Sequence, residues 1–218
     1  MTDTAALDLA SLLCSRLCHD MLSPVGALSN GLELLRDERD PEMRKRCMEL
    51  LEQSAKASAD KLKFFRLAFG AAGGFGQMVS VSEARELITA LIGDSGRITL
   101  DWKVPSEELP KAAVKTLLNL AAIGLEALVR GGTLEVGAEL TAEASEIVIR
   151  AAGPRIAFDE TIGQALDGSL PLGDLSSRTA PAAMIHQLAA STGGGVQWHR
   201  GEDALVMGAV LPHTASHG

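Results

Sequence analysis

The stretch LDLASLLCSRLCHDMLSPVGALSNGLELL, from Leu7 to Leu35, decides how the N-terminal part of the chain folds. Ala10, Cys14, Leu17, Met21, Val25, Leu28, Leu32 and Leu35 recur at steps of three or four residues. That spacing lays one apolar stripe along a single long helix. Asp37 to Pro41 is a polar turn, and Pro41 suits the first turn of a second helix. There Met43, Cys47, Leu51, Ala55, Ser58, Leu62, Phe65 and Phe69 make a second stripe. The two helices form an antiparallel hairpin, and a hairpin alone encloses no core. A second copy would complete a four-helix bundle, so a homodimer is expected. Packing of the hairpin on the rest of the chain is the alternative cover.

Outward from the hairpin the pattern changes. Gly70 to Gly76 is rich in glycine and reads as a hinge, giving a hairpin over residues 1–70, a linker over 71–77 and a second domain over 78–218. Ser80 to Ile92 is helical, and Ile98, Leu100, Trp102 and Val104 alternate as a half-buried strand. Pro110 to Val129 is a strong helix stopped at Gly131 and Gly132. Thr133–Leu140 with Ser145–Ala151, and Val196–Arg200 with Ala204–Leu211, read as strand pairs. Short helices are expected at Asp159–Leu166 and Pro181–Ser191. The fold class is α+β, with the hairpin followed by a two-layer α/β sandwich of mostly antiparallel strands.

Composition narrows the function. The 218 residues are 46% hydrophobic with net charge −8, and aromatics are only 3%. An acidic chain with no basic run and no stacking platform is not a nucleic-acid binder. No apolar run reaches membrane-spanning length, and the acidic start from Met1 to Asp8 is no secretory signal. Three cysteines at helical positions fit a cytoplasmic protein without a disulfide framework.

At about 100° per residue, His19 lies opposite the first apolar stripe. It shares its face with Leu12, Ser15, Arg16, Leu22, Ser23, Gly26 and Asn30. A solvated surface histidine is the bland reading. Leu12 and Leu22 as exposed apolar neighbours argue instead for a docking surface. Pro24 lacks the amide that would bond the Asp20 carbonyl, so the helix bends past His19 and the freed carbonyl, with Ser23 and Gly26, leaves room for close approach. An imidazole is a phosphoryl acceptor when neutral at the attacking nitrogen. Asp20 is placed to hold its tautomer or take its proton, and Arg16, one turn back, is a candidate phosphate contact.

The run His19-Asp20-Met21-Leu22-Ser23-Pro24 resembles the His-Asp/Glu-x-x-x-Pro box of sensor histidine kinases. The hairpin is similar to their dimerisation and phosphotransfer domain, and residues 78–218 resemble a degenerate form of their GHKL-type ATPase domain. The combination resembles the histidine phosphotransferases of alphaproteobacterial cell-cycle phosphorelays, and the resemblance covers essentially the whole chain. The departures are specific. Active kinases carry Asn-Leu-x-x-Asn-Ala, and here Ile123 stands at the second Asn of Asn119-Leu120-Ala121-Ala122-Ile123-Gly124, with no oxygen for Mg²⁺. Their Asp-x-Gly-x-Gly is Ala151-Ala152-Gly153-Pro154-Arg155 here. Their phosphate-loop glycines are replaced by Thr179-Ala180-Pro181-Ala182-Ala183.

The resemblance therefore implies no ATP, no cofactor and no metal in this chain, and no autokinase activity. It implies that His19 takes a phosphoryl group from the receiver domain of a hybrid histidine kinase and passes it to response-regulator receiver domains, which supply Mg²⁺. Leu12, Ser15, Leu22, Ser23 and Gly26 would then contact the receivers. A pseudo-kinase scaffold that binds receivers without transfer is the alternative.

Other constellations are weaker. Cys14 in the core stripe, Cys18 between faces and His19 pointing away do not converge on one metal ion. Gly193-Gly194-Gly195 follows a helix, as a C-cap does, instead of opening one. His186, His199, His213 and His217 are scattered, while Trp102 and Trp198 are expected to pack in the sandwich.

Overall fold

The structure, a computed structural model, describes residues 3–70, 78–93 and 95–213. Helix α1 spans Asp3–Asp37 and α2 spans Pro41–Phe69. Asp40 caps α2, its carboxylate accepting from the Glu42 amide at 3.0 Å, with Pro41 in the first turn as expected. The expected linker over 71–77 lies outside the described residues, as does His217.

Strand β1 (Met78–Ser80) leads into α3 (Val81–Ile92), followed by β2 (Ile98–Lys103), β3 (Glu108–Pro110) and α4 (Lys111–Ala127). The hairpin of β4 (Gly132–Leu140) and β5 (Ala144–Ala152) comes next, then α5 (Glu160–Asp167), α6 (Ala180–Ser191), β6 (Gly195–Arg200) and β7 (Ala204–Pro212). Five strands form one sheet in the order β2-β4-β5-β7-β6, with β2 parallel to β4 and the other pairs antiparallel. The mixed sheet and its helical layer are the α/β sandwich that the patterning implied. A small antiparallel pair, β1 with β3, was not legible, because three residues are too few to display a period.

Alternation sorts the sheet. Leu134, Val136, Ile147, Ile149, Ala151, Leu205, Met207 and Ala209 point inward and are buried. Helix α4 lies over them, close enough that a Cβ added to Gly124 would come 2.8 Å from the Leu134 side chain. Gly193, at φ +77°, turns the chain out of α6, and the Gly194 amide donates to the Ala189 carbonyl at 2.9 Å. That is a helix C-cap, as read from the sequence.

The end of the hairpin belongs to the same core. Phe64, Phe65, Leu67 and Ala68 are buried where α2 packs on α3 and α4, and Leu9 is buried on α1, which also contacts α6. The alternative cover is thus part of the answer. The α1 stripe is only partly covered: Leu17 and Met21 are half-buried against the common core, whereas Cys14 and Val25 are exposed and Leu32 is 59% exposed. This corrects the placement of Cys14 in a core stripe. The side of α1 that meets α2 carries Leu13, Pro24 and Gly31, where a Cβ would come 2.9 Å from Leu51. The apolar band is wider than one neighbour can cover.

Candidate functional site around His19

His19 projects from α1 with its side chain 81% exposed. Its Nδ1 lies 3.1 Å from Asp20 Oδ1. The other carboxylate oxygen of Asp20 accepts from Arg16 Nε at 2.7 Å, one turn back on the same helix. Arg16 Nη2 pairs in turn with Glu126, near the end of α4. Burial opposes the charge on Arg16, yet Glu126 and then Asp20 outweigh it and hold the guanidinium above its ordinary range. Arg16, the candidate phosphate contact, is therefore half-buried and already committed to two carboxylates.

Helix α1 runs through Pro24 unbroken. The Asp20 carbonyl, which Pro24 deprives of its helical donor, accepts from Lys61 Nζ at 2.9 Å. The carbonyl expected to be free for a partner is thus occupied from α2. No local pattern marks Lys61, because donor and acceptor of this bond are 41 positions apart.

Ser15 and Ser23 are exposed beside His19, and Leu22 is 70% exposed. A Cβ on Gly26 would meet nothing within 4 Å. Leu12 departs from expectation: it is half-buried and packs against the common core, because α1 turns that side toward the sheet domain. Four of the five expected contact residues share the open surface with His19.

Beneath Arg16 and Asp20 lies a cavity of about 450 Å³, which also meets Lys61, Asn119, Ile123 and Glu126. Asn119 is 2% exposed and bonded within the protein, its amide donating to the Ala68 carbonyl at 3.3 Å and the Lys115 carbonyl at 2.8 Å. It ties α4 to the end of the hairpin. Ile123 is buried and Ala151 lies inside β5 with no exposed surface, so neither offers a polar atom from its side chain. At the start of α6, the Thr179 hydroxyl is engaged with Ser176, and Pro181 removes an amide. Among the described residues no group of three His, Cys, Asp or Glu could hold a metal ion, and no helix is long and apolar enough to cross a membrane. Trp198 packs against Phe158 with ring centroids 5.1 Å apart, as its strand position implied.

Residues 81–204 match the family model described as histidine phosphotransferase C-terminal domain. The chain is 34% identical to the protein phosphotransferase ChpT of Brucella abortus (strain 2308) over 205 residues, which is 94% of this chain and 96% of that one. A solved bacterial phosphotransferase is 32% identical with a TM-score of 0.80, covering 94% of this chain and 96% of its own. The histidine kinase ThkA, solved in complex with the response regulator protein TrrA, shares the fold at 15% identity and a TM-score of 0.50, over 98% of this chain and 64% of that one. A helical hairpin joined to a kinase-like sheet domain thus places the molecule among phosphotransferases with a histidine-kinase-like architecture. The chain belongs to the ChpT-type histidine phosphotransferases. Phosphotransfer in a phosphorelay is accordingly its class of activity.

Proposed function

We propose that His19 is the phosphoryl carrier of this chain, loaded by the receiver domain of a hybrid histidine kinase and discharged onto response-regulator receivers. The observation that carries this reading is a solvent-facing imidazole whose Nδ1 is held 3.1 Å from the Asp20 carboxylate. An Nδ1 proton donated to Asp20 leaves the Nε2 lone pair directed outward. Nε2 attacks the phosphorus of a receiver aspartyl phosphate. A P–N bond forms as the acyl P–O bond breaks, and the receiver recovers its carboxylate. The ring gains a positive charge, which Asp20 balances or removes by taking the Nδ1 proton. Discharge to the next receiver is the reverse. Mg²⁺ belongs to the receivers, and this chain contributes position.

Ser15, Leu22, Ser23 and Gly26 form the surface against which a receiver settles. The sheet domain acts without ATP and the chain without autokinase activity, a reading supported by the burial of Ile123 and Ala151 and by the internal bonding of Asn119. The working unit is a cytoplasmic homodimer, with the hairpin (1–70) and sheet domain (78–218) as its two parts. Cys14, Cys18, Met21, Val25, Leu28 and Leu32 alternate steps of four and three, the spacing of a bundle seam, and most are exposed in the single chain. Met48, Ala55 and Leu62, exposed at intervals of seven on α2, extend that seam.

The test mixes the protein with labelled ATP alone and then with a phosphorylated receiver. Acid-labile label on wild type only in the second mixture, and none on a folded His19→Ala variant, is the expected result. Label taken directly from ATP would make the chain a kinase. No label from a broad panel of receivers would leave a scaffold.

A further inference from the structure

We propose that Glu126, on α4 of the sheet domain, is a positioning residue for the His19 imidazole, acting through Arg16 and Asp20. The inference rests on the reading of His19 as phosphoryl carrier. The contacts form one unbroken series: Glu126 to Arg16 Nη2, Arg16 Nε to Asp20 Oδ2, and Asp20 Oδ1 to His19 Nδ1. Each link constrains the next. A guanidinium is a rigid planar fork, so fixing one arm on Glu126 fixes where the other arm holds Asp20. With Oδ2 taken by Arg16, Oδ1 is the oxygen left to meet the imidazole, and it defines which ring nitrogen keeps the proton.

The anchor at the far end is firm. Glu126 lies seven positions beyond Asn119, which puts both on one face of α4. Asn119 is buried and bonded to the Ala68 carbonyl, so this face of α4 is fixed against the hairpin. Lys61 holds the Asp20 backbone from α2. The backbone of Asp20 is thus secured within the hairpin, while the rotation of its carboxylate is secured from the other domain. A sheet domain that has shed its nucleotide residues keeps a part in the chemistry by orienting the acceptor.

A partly exposed ion pair adds little to stability, so the experiment must read the imidazole itself. Side-chain ¹⁵N–¹H correlation spectra of the full-length protein report the tautomer of His19, assigned by the signals lost in His19→Ala. In wild type the expected form is protonated at Nδ1. Glu126→Gln is expected to convert this to a mixture of tautomers and to slow phosphoryl acceptance about threefold to fivefold, with a melting temperature within about 2 °C of wild type. Glu126→Asp, which keeps the charge within reach of a flexible arginine, should restore the tautomer and most of the rate. An unchanged tautomer in Glu126→Gln overturns the proposal, and if the rate still falls then Glu126 acts in receiver docking. A wild-type protein that takes no phosphate on His19 defeats the underlying reading instead, and the spectra still decide whether Glu126 orients the ring.

Discussion

Helix α4 buries eleven of its seventeen residues, whereas along the whole of α1 only Leu9 and Pro24 are buried among the described side chains. Both helices are rich in apolar residues, and the contrast lies in their neighbours. Helix α4 sits between the sheet, α2, α3 and α6, and most of its circumference finds a partner within the chain. Helix α1 touches α2 along one side and α6 near its start, leaving Cys14, Val25 and Leu32 open. One region is finished by its own chain; the other is left partly open by it. The difference teaches why the dimer seam is proposed on α1: a large apolar surface that a chain leaves open is the kind that marks an interaction site.

Cutting into the finished region should have the largest effect. Leu118, with no exposed surface, loses its side chain in Leu118→Ala, and the cavity is expected to cost about 2–5 kcal/mol in denaturant unfolding. A loss below about 0.5 kcal/mol would mean that the sheet domain is not the close-packed body described above. On the open region, Leu32→Asp puts a charge into the proposed seam. Its dimer should dissociate at concentrations about a hundredfold higher than wild type or more, as read by light scattering, while each monomer stays folded. A variant as dimeric as wild type would place the seam elsewhere.

Leu22 tests whether the proposed receiver face and the proposed seam are distinct, because it is 70% exposed near His19 and only one turn from Cys18 and Val25. Leu22→Asp is expected to weaken receiver binding about tenfold in titration calorimetry and to leave the dimer intact. Loss of the dimer instead would show that the receiver face and the seam are one surface. The smallest effect is expected at Asp159, which caps α5 by accepting from the Thr161 amide at 3.0 Å and its hydroxyl at 2.8 Å. Those bonds, with Arg178 nearby, hold its carboxyl below the ordinary carboxylate range. The resulting stability is complete above the unfolded pKa and disappears as pH falls through the lowered one. Asp159→Ala should therefore cost about 1 kcal/mol near neutral pH, with the gap to wild type closing below about pH 4. Thermal melts across that range test it, and a gap that persists in acid would assign the effect to packing.

Legibility in the sequence followed the range of the interactions. The hairpin, α4 and the two strand hairpins were readable because their periods repeat over many residues. The β1–β3 pair was not, being three residues on each side. The exposure of Leu22 was readable from helical phase, but the half-burial of Leu12 was not, since it depends on which side of α1 the sheet domain occupies. His19 and Asp20 are neighbours in sequence, and their pairing could be anticipated. Lys61 and Glu126 reach the same carboxylate residue or its arginine across 41 and 110 positions, and no local pattern marks them.

The sequence by itself determined the helices, the alternating strands, the histidine with its acidic neighbour, and the apolar side chains at Ile123 and Ala151. All of these are written in residue identity and short-range spacing. Only the tertiary structure decided that α2 shares a core with the sheet domain, that Asn119 serves as a bolt between them, and that Arg16 faces Glu126. Each of these depends on the rigid-body placement of one element against another, which is set by the summed packing of many side chains and leaves no signature at any one position.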